Sequence, residues 1–234
     1  MSENVFDRTG LLFGPDKLAA LGRAGVAIFG VGGVGGWCAE SLVRSGIGRI
    51  MLVDFDSVCV SNVNRQVAAT LSAVGKPKVE VLAARFRDIN PACRIETRCG
   101  AFNAGTADAF DLSGWDFVVD AIDSVPDKAL LVRRALAEPS VTLFSSMGAA
   151  RKTDPFQIRA TPFLKVEGDG LARALRNTFR KTGGIPQKTW TCVWSPERRE
   201  NLGVPRQGER ANGTVAHLVA SFGFALASLV VNSI

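Results

Sequence analysis

Apolar and polar positions along the chain fall into short buried runs separated by longer amphipathic stretches. Val26 to Val31 is an apolar run bounded by glycine and is predicted to be a buried strand. A helix is predicted from about Gly35 to Ser45, and a second strand at Arg49 to Asp54. Lys78 to Ile89 reads as a helix that Asn90-Pro91 stops, because proline has no N–H for the helical ladder. Arg94 to Cys99, Phe117 to Ile122 and Val141 to Ser146 read as further strands. Pro126 opens the helix after the fourth strand, where its fixed φ suits the first turn. Strands alternating with helices imply a mostly parallel sheet covered on both faces. Right-handed crossovers then give an α/β, doubly wound, Rossmann-like fold.

After Met147 the pattern changes. Phe156 to Thr161 and Thr191 to Trp194 are predicted strands, with a basic helix between them from Leu171 to Lys181. Leu171, Leu175 and Phe179 share one face of that helix, and Arg173, Arg176 and Arg180 stripe a neighbouring one. Residues 183–213, rich in Gly, Pro and charge, read as a long loop. Val215 to Val231 is largely apolar and short for a membrane span, so a buried core helix is expected. The organisation expected is a nucleotide-binding domain over 1–150 and an α+β extension over 151–234 packed on the same core.

Composition narrows the picture. The chain has 234 residues, 47% hydrophobic and 21% charged, enough to bury a full core without disulfides or metal. The five cysteines include no Cys-x-x-Cys pair, so the structural zinc pattern is absent. Met1 to Arg8 is polar and does not read as a signal peptide, and with free thiols this suggests a reducing, cytoplasmic setting. The net charge of +6 is unevenly placed: Arg151 to Arg210 holds 13 Lys/Arg against 6 Asp/Glu. A localised basic surface suggests an anionic partner, nucleic acid first, against a merely solvated face. The lone histidine, His217, allows no Ser-His-Asp or Cys-His system and is expected to be a satisfied core residue.

The chemistry begins at Gly30-Val31-Gly32-Gly33-Val34-Gly35, which follows a strand and opens a helix. Glycines there let the backbone approach phosphates closely, and the helix N-terminus supplies partial positive charge. Asp54 ends the next strand, where an acid can hold ribose hydroxyls. Taken alone, the pattern says nucleotide, with NAD the default. The segments further along are more specific: Asp54-Phe55-Asp56, then Ser61-Asn62-Val63-Asn64-Arg65-Gln66, then Gly75-Lys76-Pro77-Lys78, then Asp120-Ala121-Ile122-Asp123.

This order resembles the adenylating enzymes related to ubiquitin-activating enzymes, the ThiF/MoeB/HesA superfamily, over roughly residues 10–150. Ser145-Ser146-Met147-Gly148-Ala149-Ala150-Arg151-Lys152, Asp154-Pro155, Leu171-Ala172-Arg173, Cys192-Val193 and the closing helix are similar to one branch, the bacterial tRNA threonylcarbamoyladenosine dehydratases. The resemblance implies ATP and Mg²⁺ as cofactors, tRNA as partner, a homodimer and, as a further partner, a sulfur-transfer protein. It implies a carboxylate of threonylcarbamoyladenosine at position 37 of tRNA activated as an acyl-adenylate, then attacked within the same nucleoside with net loss of water. It places Asp54 on the ribose with Asp56 beside it, Asn62, Arg65 and Lys78 on the phosphates, and Asp123 on the metal. Arg151, Lys152, Arg173, Arg176 and Arg180 are the expected tRNA contacts.

Bland readings stand beside these roles. Arg65 and Lys78 can be surface charges, and Asp123 can cap the helix that starts near Pro126. Relatives that activate ubiquitin-like proteins often use a thioester cysteine; Cys192 and Cys59 are the candidates here, and both read as spectator thiols. The family carries an arginine immediately before a Leu-aromatic-Gly that reaches the partner subunit's ATP. Leu11 holds that position, with Arg8 one helical turn earlier. The alternatives are an adenylyltransferase for a ubiquitin-like or sulfur-carrier protein, and an NAD-binding oxidoreductase or nucleotide sensor. Asn62, Arg65 and Lys78 disfavour the last, since a dinucleotide offers no triphosphate to clamp.

Overall fold

A computed structural model describes residues 4–204 and 212–234. The elements run α1 (Asp7–Arg23), β1 (Gly25–Phe29), α2 (Gly35–Arg44), β2 (Arg49–Asp54), α3 (Lys78–Ile89), β3 (Arg94–Cys99), β4 (Phe117–Asp120), α4 (Val125–Ala137), β5 (Thr142–Ser146), β6 (Arg159–Pro162), α5 (Gly170–Lys181), β7 (Thr191–Trp194) and α6 (Ala216–Ser233). They form one seven-stranded sheet in the order β3-β2-β1-β4-β5-β7-β6. Every pairing is parallel except β6 with β7. The central strands β1 and β4 are buried throughout, as a parallel sheet covered on both faces requires.

Two apolar layers cover the sheet. One joins Ile28, Ile50 and Leu52 to Leu42 of α2, Phe86 of α3 and Phe222 of α6. The other joins Phe29 and Val118 to Leu131 of α4 and Leu175 and Phe179 of α5. α6 is long and apolar enough to cross a membrane, and half of it is buried inside the fold. It packs closely at Gly223, where an added Cβ would stand 2.6 Å from Val34 O and 2.8 Å from Cys38 N of the α2 turn. A side chain there would force the two helices apart.

Several elements depart from the sequence expectation. α1 has no apolar stripe to betray it: Leu11 and Leu12 are exposed, and Gly14 (φ 80) with Pro15 breaks the helix midway. The strand expected from Phe156 starts only at Arg159. Pro155 has no N–H for a ladder, and Asp154 accepts the Phe156 N–H at 3.0 Å, so residues 155–157 form a 3₁₀ turn. β1 stops at Phe29 because Gly30 turns away at φ 85. Within the expected 183–213 loop, residues 205–211, with Arg206 and Arg210, lie outside the described residues.

Candidate nucleotide site

Strand order reverses between β1 and β4: the chain crosses from β1 to β2 on one side and continues from β4 to β5 on the other. In a doubly wound sheet a crevice opens there at the carboxyl ends of the strands. The β1–α2 turn lies against it as bare backbone. A Cβ on Gly30 would stand 2.7 Å from Ala121 O, and one on Gly35 would collide with Gly30 O. Gly33 carries Val219 of α6 at its back, 3.3 Å from an added Cβ. Over Gly32 the nearest atom is Gln66 Nε2 at 3.7 Å. The turn leads directly into α2, whose N-terminus favours an anion.

Asp54 locks this turn in place. Its Oδ2 accepts the Val31 N–H and its Oδ1 the Asp56 N–H, both at 2.8 Å. Each carboxylate oxygen keeps a further lone pair for a hydroxyl donor. Asp56 in turn faces Lys78: Lys78 Nζ lies 2.6 Å from Asp56 Oδ2, and the lysine side chain is buried while the aspartate is half exposed. The backbone repeats the connection, with Lys78 N–H donating to Asp56 O at 3.0 Å. Lys78 is therefore not a loose surface charge.

Asn62 closes a 3₁₀ turn, its Oδ1 accepting the Cys59 N–H at 3.2 Å. Arg65 Nη1 donates to Ser61 O at 2.7 Å and to Asn64 Oδ1 at 2.9 Å, and Arg65 O accepts from Trp37 Nε1 of α2 at 3.1 Å. Asn64 Nδ2 donates to Thr214 O at 3.1 Å, which fastens this turn to the segment before α6. Asp123 follows β4, two residues past the Ala121 that touches Gly30. It is exposed, and its carboxylate makes no hydrogen bond or ion pair with the described residues. It does not cap α4: Ser124 holds that position, and its hydroxyl donates to Asp127 at 2.6 Å.

The expected tRNA contacts divide. Arg173 and Arg180 are exposed on α5 and border a cavity of about 340 Å³ that also takes in Glu167 and Asp169. Arg176 is half-buried and donates to the carbonyls of Phe163 and Val166, its guanidinium 5.1 Å from the Phe163 ring. Lys152 is a correction: it is buried, with Nζ donating to Ser195 O at 2.8 Å and Glu197 O at 2.5 Å. Burial pulls its pKa below the ordinary lysine value, and its ammonium staples the chain leaving β7 rather than meeting a phosphate. Arg151 is exposed. Cys192 is buried on β7 and desolvation pushes its thiol up, away from thiolate chemistry, whereas Cys59 is exposed. His217 is exposed rather than in the core, and its Nε2 meets Thr153 O at 2.9 Å.

Three polar residues matter to which sequence reasoning gave no role. Lys128 and Asp120 are both fully buried beneath the β4–α4 turn, and Lys128 Nζ donates to Asp120 Oδ1 at 2.8 Å and Ile122 O at 2.9 Å. The signal was a lysine on the helix face that also carries Leu131, Val132 and Ala135. Gln66 is buried beside Gly32, and its Oε1 has no partner within the described residues.

A glycine turn at the switch point of a doubly wound sheet, backed by an acid and a buried lysine, makes this a nucleotide-binding protein. Its family follows from nearly the whole chain: residues 6–234 match the ThiF family, and the chain belongs to it. It is 43% identical over 178 residues to the tRNA threonylcarbamoyladenosine dehydratase of Bacillus subtilis, covering 76% of this chain and 70% of that relative. With the Haemophilus influenzae protein of the same name it shares 33% identity, over 99% of this chain and 94% of the relative. Its fold is similar to the solved E. coli tRNA N6-threonylcarbamoyladenosine dehydratase TcdA in complex with ATP, at TM-score 0.88 and 35% identity, covering 97% of this chain and 92% of that one.

Proposed function

We propose that this protein carries out the ATP-dependent, cyclising dehydration of threonylcarbamoyladenosine at position 37 of tRNA. The observation that carries the reading is its likeness, along nearly the full length of both chains, to dehydratases of that name, one of them solved with ATP. The site agrees with it. The nucleoside's carboxylate attacks the α-phosphorus of ATP and pyrophosphate leaves. The acyl-adenylate is then attacked within the same nucleoside, AMP leaves, and the nucleoside has lost one water. There is little covalent work for the protein in such a transfer, so positioning and charge neutralisation dominate.

In this reading the β1–α2 turn receives the nucleotide and Asp54 accepts from the ribose hydroxyls. Arg65 and Lys78 offset the charge of the departing pyrophosphate while Asn62 donates to it. Lys78 needs no desolvation during the reaction, because it is buried already and held by Asp56. The free carboxylate of Asp123 fits Mg²⁺. No cluster of three metal-ligating side chains occurs among the described residues, and Mg²⁺ is ordinarily held by one or two carboxylates plus substrate phosphates. When bound, the metal neutralises phosphate charge.

The protein is further expected to act as a cytoplasmic homodimer, with the exposed Leu11 and Leu12 of α1 against a second copy. Arg151, Arg173 and Arg180 are the cations left to meet tRNA phosphates. A reading as an adenylyltransferase for a ubiquitin-like or sulfur-carrier protein is less supported, since the relatives that span most of this chain are tRNA dehydratases by name. The deciding experiment incubates the protein with ATP and tRNA carrying threonylcarbamoyladenosine and weighs the released nucleosides. A nucleoside lighter by one water is expected, and an unchanged nucleoside overturns the reading. Calorimetry should show Mg-ATP binding more tightly than NAD.

A further inference from the structure

Phe156 is 96% exposed, the extreme among the aromatic side chains of the described residues. An isolated exposed apolar side chain usually needs no explanation. What sets this one apart is the rigidity of its mount. Glu197 Oε2 accepts the N–H groups of both Thr153 and Asp154 at 2.8 Å, and Glu197 Oε1 accepts the Thr153 hydroxyl at 3.0 Å. Asp154 then accepts the Phe156 N–H at 3.0 Å and the Gln157 amide at 2.9 Å. Lys152 staples the same segment from below through Ser195 O and Glu197 O, and His217 of α6 holds Thr153 O.

The start of the segment is fixed as firmly. Arg151 adopts φ 58, the only non-glycine residue of the described chain in the left-handed region. Its N–H donates to Gly213 O at 2.9 Å and its carbonyl accepts the Arg199 N–H at 3.0 Å. A non-glycine residue persists in that region only where its surroundings over-determine it, and such residues cluster at ligand sites. Residues 151–157 thus form a clasp that bears an exposed arginine at one end and a bare phenyl ring near the other.

The clasp is tied to the turn that carries Arg65: Arg151 N–H donates to Gly213 O at 2.9 Å, and Asn64 Nδ2 donates to the next carbonyl, Thr214 O, at 3.1 Å. α6 touches the clasp through His217 and, on its other side, the nucleotide turn through Val219. An exposed ring and an exposed cation carried on one braced backbone segment suit single-stranded nucleic acid, since every base has a face to stack and the backbone is anionic. Pre-ordering spares the entropy of fixing the clasp on binding.

We infer that Phe156 is a stacking platform for an unpaired base of the tRNA loop that carries the modified adenosine, with Arg151, at the other end of the same clasp, for a phosphate of that strand. This rests on the tRNA dehydratase reading above and adds to it the residue that holds the loop open. Stacking releases no counterions, so this contact differs from the arginine contacts in its response to salt.

The test compares wild type, Phe156→Ala, Phe156→Leu and Phe156→Trp on tRNA carrying threonylcarbamoyladenosine, by affinity at two salt concentrations and by dehydration rate. Alanine is expected to weaken tRNA affinity and raise KM for tRNA by about 5- to 150-fold, the size of one base–aromatic stack. The rate at saturating tRNA, ATP affinity, melting temperature and salt slope should stay as in wild type. Tryptophan should restore affinity and leucine should not. Unchanged affinity in Phe156→Ala overturns the inference, as does full rescue by leucine, which marks a generic apolar contact. A fall in molecular mass by light scattering also overturns it, by making Phe156 a contact between copies. The wild-type reaction is read first: if it yields no lighter nucleoside, the dehydratase reading fails and the stacking role falls with it. If it does and alanine changes nothing, only the stacking role falls.

Discussion

Lys128 Nζ donates to Asp120 Oδ1 at 2.8 Å with both side chains fully removed from solvent, directly under the turn that carries Asp123. The same ammonium holds Ile122 O, one residue before Asp123. Burial pushes the Asp120 carboxyl up from the ordinary carboxylate range, and Lys128 opposes that shift. Replacing Lys128 by Met is expected to lower stability by about 3–5 kcal/mol, because a buried carboxylate loses its counter-charge. Adding Asp120→Asn should recover part of that loss. Urea unfolding checks both: the midpoint should fall with the slope unchanged.

Asp123→Asn should leave the fold intact, since the side chain is exposed and unpaired. Surface changes of this kind stay within about 0.5 kcal/mol. Pyrophosphate release in the presence of tRNA should nevertheless fall by about 10²–10³-fold, the usual cost of removing one electrostatic interaction with the reacting centre. A wild-type rate in the variant would return Asp123 to a surface charge.

Glu197 sets a pH limit on the clasp. Burial opposes its ionisation, but the N–H groups of Asp154 and Thr153, the Thr153 hydroxyl and Arg199 outweigh this and bring its pKa to about 2. A carboxylate whose pKa is lower in the folded state stabilises that state above its unfolded pKa, here 4.5, and loses the contribution as pH falls towards about 2. Thermal unfolding should therefore show wild type losing stability below about pH 4.5, while Glu197→Gln, already weaker at pH 7, loses less over the same range. Parallel curves for the two proteins would mean that the clasp does not depend on this charge.

Leu11 is 80% exposed on α1, at the position where the resemblance to the adenylating enzymes implies an arginine directed at a partner subunit's ATP. Leu11→Arg is expected to raise the rate of adenylation in the dimer, with light scattering checking that the variant stays dimeric. An unchanged rate would assign that role to Arg8, which lies one turn earlier on α1 and is also exposed.

Arg173 and Arg180, unlike Arg176, have exposed side chains on α5. Reversing both to Glu should weaken tRNA binding and reduce the log–log salt slope by about 0.7–0.9 for each phosphate that is no longer neutralised. Filter binding at two salt concentrations reads this directly, and ATP binding should not change. An unaltered slope would move the tRNA interface away from α5.

Much of the site was legible in the sequence because its parts are local. The Gly30 to Gly35 turn, the acid that ends β2, and the Asn62, Arg65 and Lys78 spacing each lie within one or two consecutive elements, where residue type and interval report backbone needs. Lys128 was less legible although its signal is local, because a single lysine on an apolar helix face does not reveal that Asp120 waits beneath it. Lys152 was misread because a cation in a basic stretch looks the same whether it meets solvent or two carbonyls more than forty residues away.

The residue pattern by itself determined the alternation of strands and helices, the doubly wound sheet and the glycine turn, since periods of 2 and 3.6 and the freedom of glycine at φ 85 are properties of neighbouring residues. Only the tertiary structure decided that Val219 backs Gly33, that Asn64 holds Thr214, and that Glu197 and His217 grip the segment bearing Phe156. These contacts join residues far apart in the chain. They arise where β7 and α6 return to the sheet beside β5 and α2, and no local periodicity encodes where a returning element will dock.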